Sequence, residues 1–176
     1  MRTALASIVA LVLLCLSPTA VLAHEDAEDH DHAEPAAYFT GTFEPVFEEL
    51  PEPVMNPDTG MLEVRGGKLE YLGDIDDPRI APNYVVDPLH MDIDPVTGAG
   101  RMWGTGHSVS ETGAFEGPIW GMHYPITEEV SGFTASGWLP GSGDYEGLTY
   151  FYRGSFDGEQ SFMEGLIYEG EAPPLQ

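Results

Sequence analysis

The hexapeptide FEGPIW at positions 115–120 is the clearest indication of the fold, because its pattern returns twice further along the chain. A large apolar residue, Glu, Gly, two variable positions and an aromatic residue follow in the same order in YEGLTY at 145–150 and in MEGLIY at 163–168. Such alternation is typical of β-strands, whose successive side chains point to opposite faces. The repeat therefore predicts three similar strands in the carboxyl-terminal half of the chain.

Short apolar runs and turn-forming clusters extend this pattern in both directions. Gly or Pro interrupts almost every window from Tyr38 onward, and apolar side chains do not recur at helical spacing. The stretch 75–87, rich in Asp and Pro, predicts a long surface loop. Candidate strands are 38–43, 62–64, 68–73, 89–93, 101–110, 114–124, 132–139, 145–156 and 161–169.

The connections after Arg101 are short enough to join consecutive antiparallel neighbours, which predicts a meander. A meander leaves two exposed edges unless it closes into a barrel or stacks on a second sheet. Mid-strand glycines such as Gly117 and Gly165 allow the strong coiling that a barrel needs. We therefore predict an all-β fold, an antiparallel meander closed into a barrel of about eight strands, with little or no helix outside a signal peptide.

The 176-residue chain carries 30 Asp and Glu residues against 6 Lys and Arg residues, a formal net charge of −24. Phosphate backbones and anionic membrane surfaces repel such a chain, so neither nucleic acid nor an anionic membrane is expected as a partner. The single cysteine, Cys15, cannot form a disulfide within the chain. A hydrophobic share of 42% is nevertheless enough to build the core of one acidic domain.

The amino terminus has the pattern of a signal peptide. Arg2 precedes an apolar run, and the small-residue ending Val21-Leu22-Ala23 suits cleavage near Ala23. We therefore predict a signal peptide over 1–23, a disordered leader over 24–37 and a barrel domain over 38–176. The expected location is secreted or periplasmic.

The leader HEDAEDHDHAEPAA, at 24–37, is made almost entirely of charged residues, His and Ala. Its three imidazoles belong to His24, His30 and His32, and imidazole with carboxylate suits zinc or copper. A weak divalent-metal site is one interpretation of the leader, and a solvated tail is the other. No other cofactor is indicated.

Alternation along the repeated strands separates two faces, one of which gathers aromatic, aliphatic and a few polar side chains. If that face points inward, it lines a lumen of the composition found in small-molecule pockets, with carboxylates whose pKa burial would raise. The alternative is that the three Glu are solvated and the aromatic residues fill the core. Under the lumen hypothesis Glu116 and Glu146 are the catalytic candidates, and the ligand-binding candidates are Arg101, Trp103, His107, Trp120, Tyr150, Glu164 and Tyr168.

The run GSGDYEGL at 141–148, followed by a strand and another Glu-Gly strand, resembles the glycine-rich strands of the allene oxide cyclase and dirigent barrels. The likeness covers about residues 101–171. It implies an eight-stranded antiparallel barrel with an apolar cavity that binds an oxylipin or steers phenoxy radicals. It also implies a homo-oligomer, commonly a trimer, and it matches Glu146 or Glu116 to a cavity carboxylate.

Three functions follow from these patterns and stay open at this point. The first is binding of a small apolar or amphipathic ligand in the lumen, with or without cyclase- or isomerase-like chemistry. The second is divalent-metal binding through the His-rich leader. The third is a non-catalytic structural or assembly role, in which the barrel only presents its acidic surface.

Overall fold

The computed structural model describes residues 36–127 and 130–173. These residues form strands, turns and loops, and no helix occurs among them. It follows that the described part of the chain has no helix that could cross a membrane. The predicted signal peptide and most of the predicted leader lie outside the described residues.

Nine strands follow one another along the chain. They are β1 (Ala37–Glu49), β2 (Val54–Met55), β3 (Leu62–Ile75), β4 (Asn83–Ile93), β5 (Gly100–Val109), β6 (Gly113–Pro125), β7 (Ser131–Gly143), β8 (Leu148–Phe156) and β9 (Ser161–Glu169). Three predictions are corrected by these bounds. The two runs 62–64 and 68–73 belong to one strand, β4 already begins at Asn83 inside the predicted loop 75–87, and the residues 145–147 form a turn before β8.

The hydrogen-bonded strands close into a ring of eight. From β3 to β9 each strand pairs antiparallel with the next, and β1 pairs antiparallel with both β9 and β3. Gly41 lies at this closure, opposite Met163 on one side and Ile75 on the other. A Cβ at Gly41 would lie 2.9 Å from the Cα of Ile75, which is too close for two carbon atoms. The close approach of β1 to β3 at this point therefore requires glycine. The predicted meander and barrel of about eight strands are confirmed.

The connection between β3 and β4 covers one end of the barrel. Ile80 packs into the hydrophobic core, and the buried amide of Ala81 donates a hydrogen bond to Ser108 Oγ. Asp77 accepts hydrogen bonds from the Arg79 guanidinium, which hold the pKa of that carboxyl below its ordinary value. We call this end the closed end, and the opposite end, where β4 turns into β5 and β8 turns into β9, the open end.

Tyrosines fill much of the barrel interior. Tyr84 and Tyr152 are joined by a hydrogen bond of 2.8 Å between their hydroxyls, and their rings meet edge to face. Burial raises the pKa of both phenols far above the ordinary range. Tyr150 is completely buried nearer the closed end, against the rings of Phe39 and Phe115. The interior is therefore neutral and packed, not an open channel.

The inward face is not the face predicted to line a lumen on β5, β6 and β9. On β6 the buried residues are Phe115 and Ile119, so the alternate side chains of Glu116 and Trp120 point outward. Of the strands that carry the repeat, β8 alone turns the predicted face inward. The turn between β7 and β8 shifts the alternation of inward and outward side chains by the time β8 begins. The outer wall of these strands carries aromatic side chains such as Trp103, Trp120 and Tyr168, which the lumen hypothesis places inside.

Candidate functional site

A pocket of about 510 Å³ opens at the open end of the barrel. Its wall combines residues of seven strands, β1 and β3 to β8, with the connection that follows β1. The side chains that form it are mainly aliphatic and aromatic, which is the composition of sites for small organic ligands. They include Val64, Leu69, Tyr71, Leu89, Met91, Ile93, Met102, Phe133 and Phe156.

The segment that follows β1 forms one side of the pocket mouth. Pro51 and Pro53 flank Glu52, and proline restricts both its own φ and the conformation of the residue before it. Leu50 packs against the bare backbone of Gly67, where a Cβ would lie 2.8 Å from the Leu50 side chain. A stiff, anchored segment therefore holds Glu52 at the mouth.

His123 supplies a hydrogen-bonding group inside this apolar wall. It lies on β6 opposite Phe133 of β7, and both residues line the pocket. Its Nδ1 is buried and has no hydrogen-bond partner among the described residues. An unsatisfied buried nitrogen of this kind costs about 1–3 kcal/mol of stability.

A second, much smaller cavity lies deeper in the barrel. It measures about 20 Å³, enough for one water molecule. Tyr71, Met102 and Phe133 line both this cavity and the pocket, so they separate the two spaces. Beyond them lie Tyr84 and Tyr152, which close the interior. The pocket is therefore a blind depression with an apolar floor.

The chain matches no protein-family model, no curated protein and no solved structure. The resemblance to the allene oxide cyclase and dirigent barrels thus stays a prediction.

None of the three repeated Glu residues lines the pocket. Glu116 is exposed on the outer wall, with Oε2 3.2 Å from Nδ1 of His107, whose Nε2 lies 2.9 Å from the Asp87 carbonyl oxygen. Glu164, also on the outer wall, accepts a hydrogen bond of 2.8 Å from the Tyr38 hydroxyl. Glu146 is exposed in the turn before β8, near the closed end. The structure therefore does not place these carboxylates in a common lumen, and Glu116 and Glu146 are solvated as the alternative interpretation expects.

The remaining predicted ligand-binding residues are also outside the pocket. Trp120 is 37% exposed on the outer wall, and Tyr168 packs there edge to face against Trp138. Trp103 lies on the same wall, and Tyr150 is sealed in the core. The structure therefore distributes these aromatic side chains between surface and core and brings none of them to the pocket.

Arg101 belongs to an ionic cluster that braces three strands on the outside of the barrel. Its guanidinium and that of Arg65 both bind the buried carboxylate of Asp92, each at 2.5 Å, and both lie 5.0 Å from the ring centroid of Trp103. Burial alone would raise the pKa of Asp92, but the hydrogen bonds from the two arginines outweigh it, so the pKa lies below the ordinary value.

The Asp92→Asn substitution is expected to lower the free energy of unfolding at pH 7 by about 1–2 kcal/mol, because it removes charge-assisted hydrogen bonds between β3, β4 and β5. A lowered pKa in the folded state stabilises the fold above the ordinary Asp pKa of about 3.9, and that stabilisation is lost as the pH falls through the folded-state pKa. The difference between wild type and variant should therefore shrink below about pH 4. Urea titrations of both proteins at pH 7 and pH 3 measure this difference in the free energy of unfolding.

Glu70→Gln is the matched control for this experiment. Glu70 binds Lys68 at 2.6 Å, but both side chains are substantially exposed. Removing such a pair should change stability by less than about 0.5 kcal/mol. Equal losses for Asp92→Asn and Glu70→Gln would contradict a bracing role for the buried carboxylate.

Among residues 36–127 and 130–173, no group of three or more His, Cys, Asp or Glu side chains is placed to hold a metal ion. The predicted zinc or copper ligands His24, His30 and His32 lie outside these residues, so metal binding by the leader stays a prediction.

Sequence reasoning missed the residues that form the pocket. The sequence signal for His123 was that it shares a face of its strand with the large apolar residues Phe115 and Ile119, and the structure turns that face inward. The role of the segment 50–53 had no comparable signal, since nothing in the sequence shows which end of the barrel it reaches.

Proposed function

We propose that the protein binds a small apolar or amphipathic molecule in the pocket at the open end of the barrel. The observation that carries this proposal is the pocket itself, about 510 Å³ in volume and lined mainly by apolar side chains. Ligand pockets in proteins typically measure about 300–1,000 Å³ and combine such walls with a few polar groups. His123 and Ser131 are polar groups of this kind.

The pocket favours binding for two physical reasons. Transfer of an apolar ligand from water to this wall is favourable in proportion to the area removed from water, at about 25 cal/mol per Å². The barrel also preforms the site, because its walls belong to strands hydrogen-bonded on both sides, so little ordering free energy is needed on binding.

N-phenyl-1-naphthylamine, a neutral apolar dye whose fluorescence rises in apolar surroundings, is a suitable probe. Wild-type protein is expected to enhance its fluorescence saturably. Met91→Trp adds an indole to the pocket wall, where there is free volume, and should weaken dye binding by at least about tenfold.

Met122→Trp makes the same substitution on the outer wall, where Met122 is 49% exposed, and should leave dye binding unchanged. Thermal unfolding of both variants shows whether each is folded. The proposal fails if the wild type gives no saturable enhancement, or if both variants bind the dye as the wild type does.

A further inference from the structure

The charged side chains in the wall of the pocket, within the described part of the chain, are all acidic. Glu48 and Glu52 line the pocket, and no Lys or Arg does. The charge of Glu48 reaches into the pocket, because it adds to the effect of burial and of Tyr152 in raising the pKa of Tyr71. An anionic ligand group entering the mouth therefore meets two carboxylates.

The basic side chains of the neighbouring strand, Arg65 and Lys68, bind acidic residues outside the pocket. Lys68 binds Glu70 at 2.6 Å and lies over the ring of Phe47. Arg65 is held by Asp92 on the outer wall, as described above. Neither cation lines the pocket, and within residues 36–127 and 130–173 neither forms an ion pair with Glu48 or Glu52.

From this arrangement we infer that the pocket selects its ligand by charge and takes cationic amphiphiles in preference to anionic ones, with neutral ones between them. The inference rests on the proposed function. A cleft lined by charges of one sign and by apolar walls concentrates the electric field and raises the local concentration of counterions. The apolar tail would occupy the wall formed by residues such as Met91 and Phe133, and the cationic head would stay at the mouth near Glu48 and Glu52.

The test is displacement of N-phenyl-1-naphthylamine at pH 7 and low salt by three ten-carbon compounds, decylamine, 1-decanol and decanoate. They share a tail and differ in the charge of the head. We expect decylamine to bind about tenfold more tightly than decanoate, because each of the two carboxylates attracts the ammonium head group and repels the carboxylate head group. Added salt should reduce this ratio, because it screens exposed charges.

The double variant Glu48→Gln with Glu52→Gln should bring the ratio of decylamine to decanoate affinity to within about twofold. Its control is Glu111→Gln with Glu146→Gln, which removes the same net charge from exposed positions near the closed end and should keep the ratio of the wild type.

The outcomes separate the two proposals. If none of the three compounds displaces the dye, the proposed function fails and the inference fails with it. If all three displace it equally, the pocket binds apolar tails and only the charge selection is overturned. If the control pair lowers the ratio as much as the pocket pair, net charge of the whole protein is responsible and the inference is again overturned.

Discussion

Replacing Gly106 with alanine is expected to lower the free energy of unfolding by about 3–5 kcal/mol. Gly106 faces the barrel interior on β5, and a Cβ there would overlap the hydroxyl of Tyr84, with Ile119 a further 2.8 Å contact. Tyr84 cannot move aside, because it is 5% exposed and its hydroxyl is hydrogen-bonded to Tyr152. The methyl group would therefore break that bond and leave two buried hydroxyls without partners. Guanidinium titration measures the loss.

Two variants establish the cause of this destabilisation. Gly154 is a buried glycine on β8 where a Cβ would meet nothing closer than 3.5 Å, so Gly154→Ala should change stability by less than about 1 kcal/mol. Adding Tyr84→Phe to Gly106→Ala removes the overlapping hydroxyl and should recover a large part of the lost stability. If the double variant is no more stable than Gly106→Ala, the overlap with Tyr84 is not the cause.

Tyr150→Ala is expected to cost about 3–5 kcal/mol of stability, in the range measured for buried large-to-small substitutions. Tyr150 is fully buried and its ring contacts those of Phe39, Phe115 and Tyr152, so its removal leaves a cavity in the packed core. Tyr150→Phe should cost less than about 1 kcal/mol, because the sulfur of Met163, at 3.2 Å, is the hydroxyl's one hydrogen-bond partner among the described residues. Equilibrium unfolding of the two variants compares the contribution of the ring to stability with that of the hydroxyl.

Tyr168 is the matched control, because it holds the same position in the repeated hexapeptide. It lies half-buried on the outer wall, so Tyr168→Ala should cost about 1 kcal/mol. Similar losses at 150 and 168 would contradict the assignment of these two side chains to opposite faces of the barrel.

The repeat explains why the sequence predicted the strands better than the faces. In 115–120 and 163–168 the whole hexapeptide lies on a strand, and its Glu points outward. In 145–150 the first three residues form a turn in which Gly147 has a φ of +87°, so the alternation is shifted by the time β8 begins. Tyr150 therefore points inward while its counterparts Trp120 and Tyr168 point outward. A positive φ is a property of the backbone that the repeat itself does not show.

The pocket could not be predicted, because its residues come from parts of the chain that are far apart. The segment 50–53, the inner residues of β4, His123 on β6 and Phe156 at the end of β8 meet only when the ring is closed. Their exposure depends on which end of the barrel the connection between β3 and β4 covers, and that connection was predicted only as a surface loop. Acidic residues in such a chain are mostly solvated, so Glu48 and Glu52 did not stand out.

The class of fold, the antiparallel meander and its closure could be read from the amino-acid sequence, because these depend on local alternation, turn chemistry and short connections. The inward face of each strand, the covered end of the barrel and the position of the pocket became known only from the folded chain. These features depend on strand register and on packing between distant segments, and a shift of one residue exchanges the two faces of a strand. The three repeated Glu residues therefore lie on the surface, and the carboxylates beside the pocket are two others.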